Sequence, residues 1–282
     1  MAVSKNQIRY IRQLEQKKFR HREGLFVAEG TKVVGDLLAH YQPHSIFATP
    51  EWLDQHAYQF STVNCQLYSV SPDELSRISF QQHPQQVLAL FPIPDSSYHK
   101  LDSSWQSQAT KPSANLKVQS SYHKVQSSKL KVQSLNIALD GIQDPGNLGT
   151  IIRIADWFGI TDIFCSEDTV DAWNPKVVQA TMGSIARVHI LYCDLSELID
   201  SLPEDFPVYG TLLDGDNIYT QSLTPNGLIV MGNEGNGISP EIRAKVNRRL
   251  LIPSYRQDDT AESLNVAIAT AITCSEFRRR NP

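Results

Sequence analysis

The sequence predicts an α/β protein in two parts: a small α/β unit at the N-terminus, then a larger one whose mainly parallel sheet is covered by helices on both faces. Three observations carry this. From Leu135 onward short apolar runs alternate with segments of helical spacing, the pattern of strands joined by helical crossovers. Before Asp95 a similar alternation occurs in shorter runs. Between the two, residues 95–134 have no such pattern: eleven of the forty are serine, KVQS recurs at Lys117, Lys124 and Lys131, and SSYHK occurs at Ser96 and Ser120.

The elements follow in order. Gln7 to Arg22 reads as one amphipathic helix with Ile8, Ile11 and Leu14 inward, ended by Gly24. Leu25 to Val27 is a short strand, and Glu29-Gly30 leads into a helix over Val33 to Leu38. Strands are expected at Ser45 to Ala48 and Val87 to Phe91. A helix starts at Ser71-Pro72, where serine suits the cap and proline the first helical position. The 95–134 stretch repeats every seven residues, yet one Val and an occasional Leu per heptad give no continuous seam. It cannot bury enough apolar surface to offset its ordering entropy, so a disordered linker is expected.

Beyond it, Leu135 to Leu139 reads as a buried strand, followed by a turn and a helix. Ile151, Ala155 and Phe158 share one face of that helix, Arg153 and Asp156 lie on others, and its N-terminus at Asn147 to Gly149 offers amides to an anion. Strands follow at Ile160 to Cys165, Val188 to Tyr192, Val208 to Leu213, Leu228 to Met231 and Leu250 to Ile252. Helices are started by Asn174-Pro175, by a capping box of Asp194 with Glu197, and by Ser239-Pro240, and Glu262 to Phe277 closes the chain.

Composition narrows the function. The chain has 282 residues, is 41% hydrophobic and has a net charge of −4, which argues against a generic nucleic-acid binder. That average hides a gradient, because Met1 to Leu38 carries eight Lys or Arg against four Asp or Glu. Charge alone supports equally a basic RNA-binding face, drawn from Arg9, Arg12, Lys17, Lys18, Arg20 and Arg22, and a solvated helix face. No apolar run reaches membrane-span length, and MAVSKNQIRY lacks the apolar core of a secretory signal. A cytoplasmic protein without membrane attachment is expected. The four cysteines form no CxxC pair. His40 and His44 have helical metal-pair spacing, but Pro43 intervenes and no third ligand is evident, so no metal is expected.

Three stretches carry the chemistry: LNIALDGIQDPGNLGTIIRIADWFG from Leu135, LIVMGNEGNG from Leu228, and LLIPSYRQDDTAESLNVAIATAI from Leu250. Each runs from a strand into a polar loop. With Asn147 and Arg153 in the first, Asn233-Glu234-Gly235 in the second and Ser263-Leu264-Asn265 in the third, they resemble the motifs of the SpoU (TrmH) family of RNA ribose 2′-O-methyltransferases, in the SPOUT superfamily. RHREGLFVAEGTKVV resembles the start of the L30e-like substrate-binding domain that precedes the catalytic domain in many of these enzymes. The resemblance implies an L30e-like RNA-binding domain at 1–94, a linker at 95–134 and a knotted SPOUT methyltransferase domain at 135–282.

It also implies S-adenosyl-L-methionine as cofactor, held by Gly232, Ile252 and Leu264 through main-chain contacts, and a catalytic set of Arg153, Asn147, Glu234, Ser263 and Asn265. A homodimer is implied, with Arg153 of one subunit facing the donor held by the other. Arginine is a poor base, so its physical role is to pair with phosphate and developing alkoxide. Taken singly, Asn147 and Ser263 read as helix caps, Gly232 as a turn glycine, and Ile252 and Leu264 as core aliphatics; Leu264, Ile268 and Ile272 suit either a core or an interface. The chain departs from the family after Pro253, where the loop is longer and has no glycine. The leading expectation is rRNA 2′-O-methylation, with tRNA as the alternative substrate and an inactive RNA-binding module as the alternative class. A dinucleotide-binding dehydrogenase needs GxGxxG after the first strand, whereas GNEGNG comes late with other spacing.

Overall fold

The computed structural model describes residues 3–57, 65–94, 133–256 and 263–280. Residues 95–132 of the expected linker lie outside the described residues. The N-terminal part runs α1 (Lys5–Gln13), α2 (Lys17–Glu23), β1 (Leu25–Glu29), α3 (Thr31–Leu38), β2 (Ser45–Ala48), α4 (Pro50–Gln55), β3 (Gln66–Ser69), α5 (Pro72–Ile78) and β4 (Val87–Pro92). Its sheet has the order β1-β4-β2-β3, with β4 antiparallel to both neighbours and β2 parallel to β3. Both faces are covered, and the strands alternate accordingly. Leu25, Val27, Leu88 and Leu90 pack with Ile11 and Leu14 before α2 and Leu75 of α5, whereas Phe26, Ala28, Ala89 and Phe91 face α3 and the C-terminal part.

The expected single helix from Gln7 to Arg22 is two. The chain breaks over residues 14–16, and the Arg20 guanidinium folds back to donate to the carbonyls of Leu14 at 2.8 Å and Glu15 at 2.6 Å. Carbonyls left open at the end of α1 are thereby satisfied. Gly24 ends α2 at φ +63°, as its lack of a Cβ permits. Arg20 is therefore not part of a basic surface: it is 1% exposed and pairs with Asp171, itself buried, in the C-terminal part. Around this pair Phe26 packs on Trp173 with ring centroids 4.7 Å apart, and Gln81 donates to Gln179 at 2.7 Å. One apolar core runs through both parts.

The C-terminal part runs β5 (Leu135–Asp140), α6 (Pro145–Trp157), β6 (Asp162–Cys165), α7 (Pro175–Ala180), β7 (His189–Tyr192), α8 (Leu195–Asp200), β8 (Val208–Asn217), β9 (Gly227–Gly232), α9 (Pro240–Lys245), β10 (Arg248–Leu251) and α10 (Val266–Arg280). Its sheet has the order β10-β8-β9-β5-β6-β7 and every pairing is parallel. Ile137, Leu139, Ile229 and Met231 face the core shared with α6, α7 and α10, while Ala138, Leu228 and Val230 face α8 and α9. The sheet grows outward in both directions from the β5–β9 pair. In an open parallel sheet such a switch point leaves a crevice between loops that diverge at the carboxyl ends of the strands. The loops after β5 and β9 hold two of the three motifs.

The buried Arg20–Asp171 pair predicts a stability effect. Replacing Asp171 with Ala strands a guanidinium inside the protein, which typically costs ~3–5 kcal/mol. Urea unfolding of Asp171→Ala should show a loss of that size, and a loss below ~1 kcal/mol, the value of a surface pair, would contradict it.

Candidate active site

The β5–α6 loop, the β9–α9 loop and the start of α10 meet through one chain of side-chain hydrogen bonds. Glu234 accepts from the main-chain amides of Gln143 and Asp144, each at 3.2 Å, and from Asn147 Nδ2 at 3.0 Å. Asn147 Oδ1 in turn accepts from Asn265 Nδ2 at 2.9 Å. Asn265 Oδ1 caps α10 by accepting from the amides of Ala267 at 3.0 Å and Ile268 at 3.3 Å. Burial alone would raise the Glu234 pKa, but the donors on Asn147, Asp144 and Gln143 outweigh it and hold this carboxyl below its ordinary value. The chain of bonds is therefore anchored on an ionised group at neutral pH.

Local sequence explains each anchor. Asp144 caps α6 by accepting from the Asn147 amide at 2.8 Å, and Pro145 follows in the first turn. Asn147 is thus inside the helix, not its cap, and its carboxamide is free to bridge Glu234 and Asn265. Of the amides from Asn147 to Gly149 expected to receive an anion, that of Asn147 is taken by Asp144, while Glu234 takes the amides of Gln143 and Asp144 before them. At α10 the cap is Asn265 and not Ser263, because the helix starts at Val266. Asn233 was outside the expected catalytic set, yet it shapes the second loop: its Nδ2 donates to the Gly141 carbonyl at 2.7 Å and its Oδ1 accepts from the amides of Gly235 and Asn236. An asparagine two residues before a glycine is the signal for such a turn. Asp140 holds the far side of the loop by accepting from the Ser239 amide at 2.7 Å.

Beside this relay lies a cavity of about 430 Å³. Gly232, Ile252, Ser263 and Leu264 all line it, together with Met231 and the loop from Asn233 to Gly237. Its opposite wall was not anticipated. Between Arg249, which pairs with Gly210, and Leu250, which pairs with Asp216, the β8 segment bulges away from β10 and brings Thr211 to Asp214 to the cavity. Gly215 allows this, since a Cβ there would lie 2.6 Å from the Leu250 backbone.

Arg153 is not brought to this site within the chain. It is exposed, does not line the cavity, and has no hydrogen bond or ion pair among the described residues. It lies six residues along α6 from Asn147, about 9 Å at the helical rise. One turn on, Trp157 of the same helix is 85% exposed, and Leu264 and Ile268, on either side of the cap Asn265, are about half exposed. Leu264 and Ile268 are therefore not core, and Ile272 is only partly buried.

The chain is similar to known proteins along nearly its whole length. The sequence profile of the SpoU rRNA methylase family matches residues 134–275, and that of the MRM3-like substrate binding domain matches residues 5–89. The chain is 28% identical over 281 residues to the Bacillus subtilis 23S rRNA (guanosine(2553)-2′-O)-methyltransferase RlmP, covering 98% of this chain and 97% of that one. A putative RNA methyltransferase of the TrmH family from Porphyromonas gingivalis is 36% identical with a TM-score of 0.76, covering 99% of this chain and all of the other. The AdoMet-bound rRNA methyltransferase from Sinorhizobium meliloti is 28% identical with a TM-score of 0.79, over 99% and 97% of the two chains.

The residues present fit S-adenosylmethionine. The cavity is of ligand size, its walls combine aliphatic side chains with loop backbone, and a Cβ on Gly232 would lie 2.2 Å from the main chain of Gly237 and Ile238. Gly232→Ala must therefore push the loop into or away from the cavity. Calorimetry should find its affinity for S-adenosylmethionine lower by about tenfold or more, the effect of ~1.4 kcal/mol, and an unchanged affinity would contradict the placement. With three motifs joined at one crevice and likeness extending over the whole length, the chain belongs to the SpoU rRNA methylase family.

Proposed function

We propose that this protein transfers the methyl group of S-adenosyl-L-methionine to the 2′-hydroxyl of a ribose in structured RNA, with rRNA the favoured substrate and tRNA the alternative. The observation that carries this is the Glu234–Asn147–Asn265 relay, which ties all three motif loops together beside the cavity. When bound, the cofactor supplies an electrophilic methyl group on a sulfonium. Gly232, Ile252 and Leu264, which line the cavity, would hold it through main-chain groups of the loops. Glu234, Asn147 and Asn265 fix the relative positions of those loops, so that little reorganisation is left for the reaction itself. Ser263, at the cavity wall, is assigned to orienting the substrate. The N-terminal sheet unit is assigned to presenting the RNA, and a cytoplasmic working location is part of the same reading.

Arg153 is assigned to the acceptor. A guanidinium is a poor base, so its role is to pair with the phosphate next to the target ribose and to stabilise negative charge as the hydroxyl loses its proton. Because it stands outside its own cavity, the site is complete only when a second subunit supplies it. The exposure of Trp157 on α6 and of Leu264 and Ile268 around the start of α10 supports a two-fold homodimer through these two helices. The inactive RNA-binding alternative is disfavoured by the presence of every catalytic side chain.

One experiment tests both assignments. Arg153→Ala should lose methyl transfer to rRNA from a strain lacking the protein by about a hundredfold or more while calorimetric donor affinity changes only a few fold. Co-refolded with Asn265→Ala chains, it should regain about a quarter of wild-type activity under random two-fold pairing, since each heterodimer then has one intact site. Lost donor affinity would overturn the role of Arg153, and no recovery in heterodimers confirmed by mass would overturn the shared site.

A further inference from the structure

The segment after β10 is where the chain departs from the family pattern, and it carries two side chains for which the site described above has no use. Ile252 lines the cavity, and Tyr255, three residues on, is 84% exposed with Arg256 exposed beside it. Leu213 in the β8 bulge also lines the cavity and is 73% exposed. Asp214 next to it is shared by Arg243 Nη2 at 2.5 Å and Arg249 Nη1 at 3.2 Å, two guanidinium groups on one carboxylate. The charges at the cavity wall are thus matched within the protein, whereas the Arg256 guanidinium has no ion pair among the described residues.

We infer that Tyr255 and Arg256 form a subsite for an unpaired nucleotide of the RNA substrate, the Tyr255 ring stacking on its base and Arg256 pairing with its phosphate. Methylation requires the target ribose to come to the cavity, and a ribose inside a regular duplex is held away by its own helix. The target segment must be splayed open there, which bares the faces of the neighbouring bases. An exposed aromatic ring beside a guanidinium is the chemistry that receives such a base, in a sequence-tolerant way. Charge favours the same occupant, because the Arg256 guanidinium, exposed and without an ion pair among the described residues, suits a phosphate and not the donor, whose sulfonium is cationic. This inference rests on the methyltransferase reading and adds the class of substrate contact to it.

The test uses wild type, Tyr255→Ala, Tyr255→Phe and Arg256→Gln with rRNA from a strain lacking the protein. Filter binding reads RNA affinity, calorimetry reads S-adenosylmethionine affinity, and sedimentation reads mass. Tyr255→Ala should weaken RNA binding by about tenfold, within the range for a lost base stack, and Tyr255→Phe should stay within about twofold. Arg256→Gln should weaken binding and flatten its salt dependence. Donor affinity and mass should be unchanged in all three. RNA binding unaffected by Tyr255→Ala would overturn the proposal. So would a loss of donor affinity, which would put the ring over the donor, or a change of mass, which would put it against a second copy. Because RNA binding is read apart from methyl transfer, a wild type that binds rRNA without methylating it would refute the enzymatic reading and leave the subsite result interpretable.

Discussion

Glu234 takes hydrogen bonds from two main-chain amides of the β5–α6 loop and from Asn147, and Asn147 passes a further bond to Asn265 at the start of α10. Three segments separated by about ninety and thirty residues thus converge on one carboxylate. Without it, the amides of Gln143 and Asp144 and the Asn147 carboxamide, which are open to solvent, would turn to water, and the tie between the loops would be lost. The same bonds keep the carboxyl ionised, so the acceptor is at full strength at neutral pH.

The fold makes this convergence possible. Strands β5 and β9 are adjacent and parallel although eighty-six residues of chain separate Asp140 from Gly227. Their carboxyl ends leave side by side at the switch point of the sheet, so two motif loops must face each other. Close approach is enforced by missing side chains: Gly232 lets the second loop double back on itself, and Gly149 lets α6 settle against α7, where a Cβ would lie 2.4 Å from that of Ala180. The N-terminal unit is attached to this frame by a buried ion pair and an aromatic contact. The N-terminal unit therefore has a fixed position relative to the three motif loops.

Much of this was legible in the sequence, and the reasons are physical. Strands buried on both faces appear as short unbroken apolar runs, so β1, β2, β4 and the strands around the crevice were readable. Caps with strong chemistry, such as Ser71-Pro72 and Asn174-Pro175, marked helix starts correctly. What could not be read depended on partners distant in sequence. Edge strand β3 is mostly exposed and has no apolar pattern, and α4 is too short for periodicity although Thr49-Pro50 is a legible cap. Arg20 looked like a surface charge because nothing local reveals Asp171. The β8 bulge that walls the cavity is a matter of register with β10, which single-strand pattern does not encode. Cap identity at α6 and α10 was misassigned within a few residues for a related reason, since in each case two polar residues compete and tertiary bonding decides between them.

The account holds that the three motifs act as one unit through Asn147. Glu234 and Asn265 each bond to Asn147 and not to one another, so any coupling between them has to pass through that side chain. A double-mutant cycle of Glu234→Gln and Asn265→Ala, read as calorimetric affinity for S-adenosylmethionine, measures this directly. The account predicts a coupling energy of at least ~0.5 kcal/mol, whereas losses that add to within ~0.3 kcal/mol, as for independent sites, would contradict it.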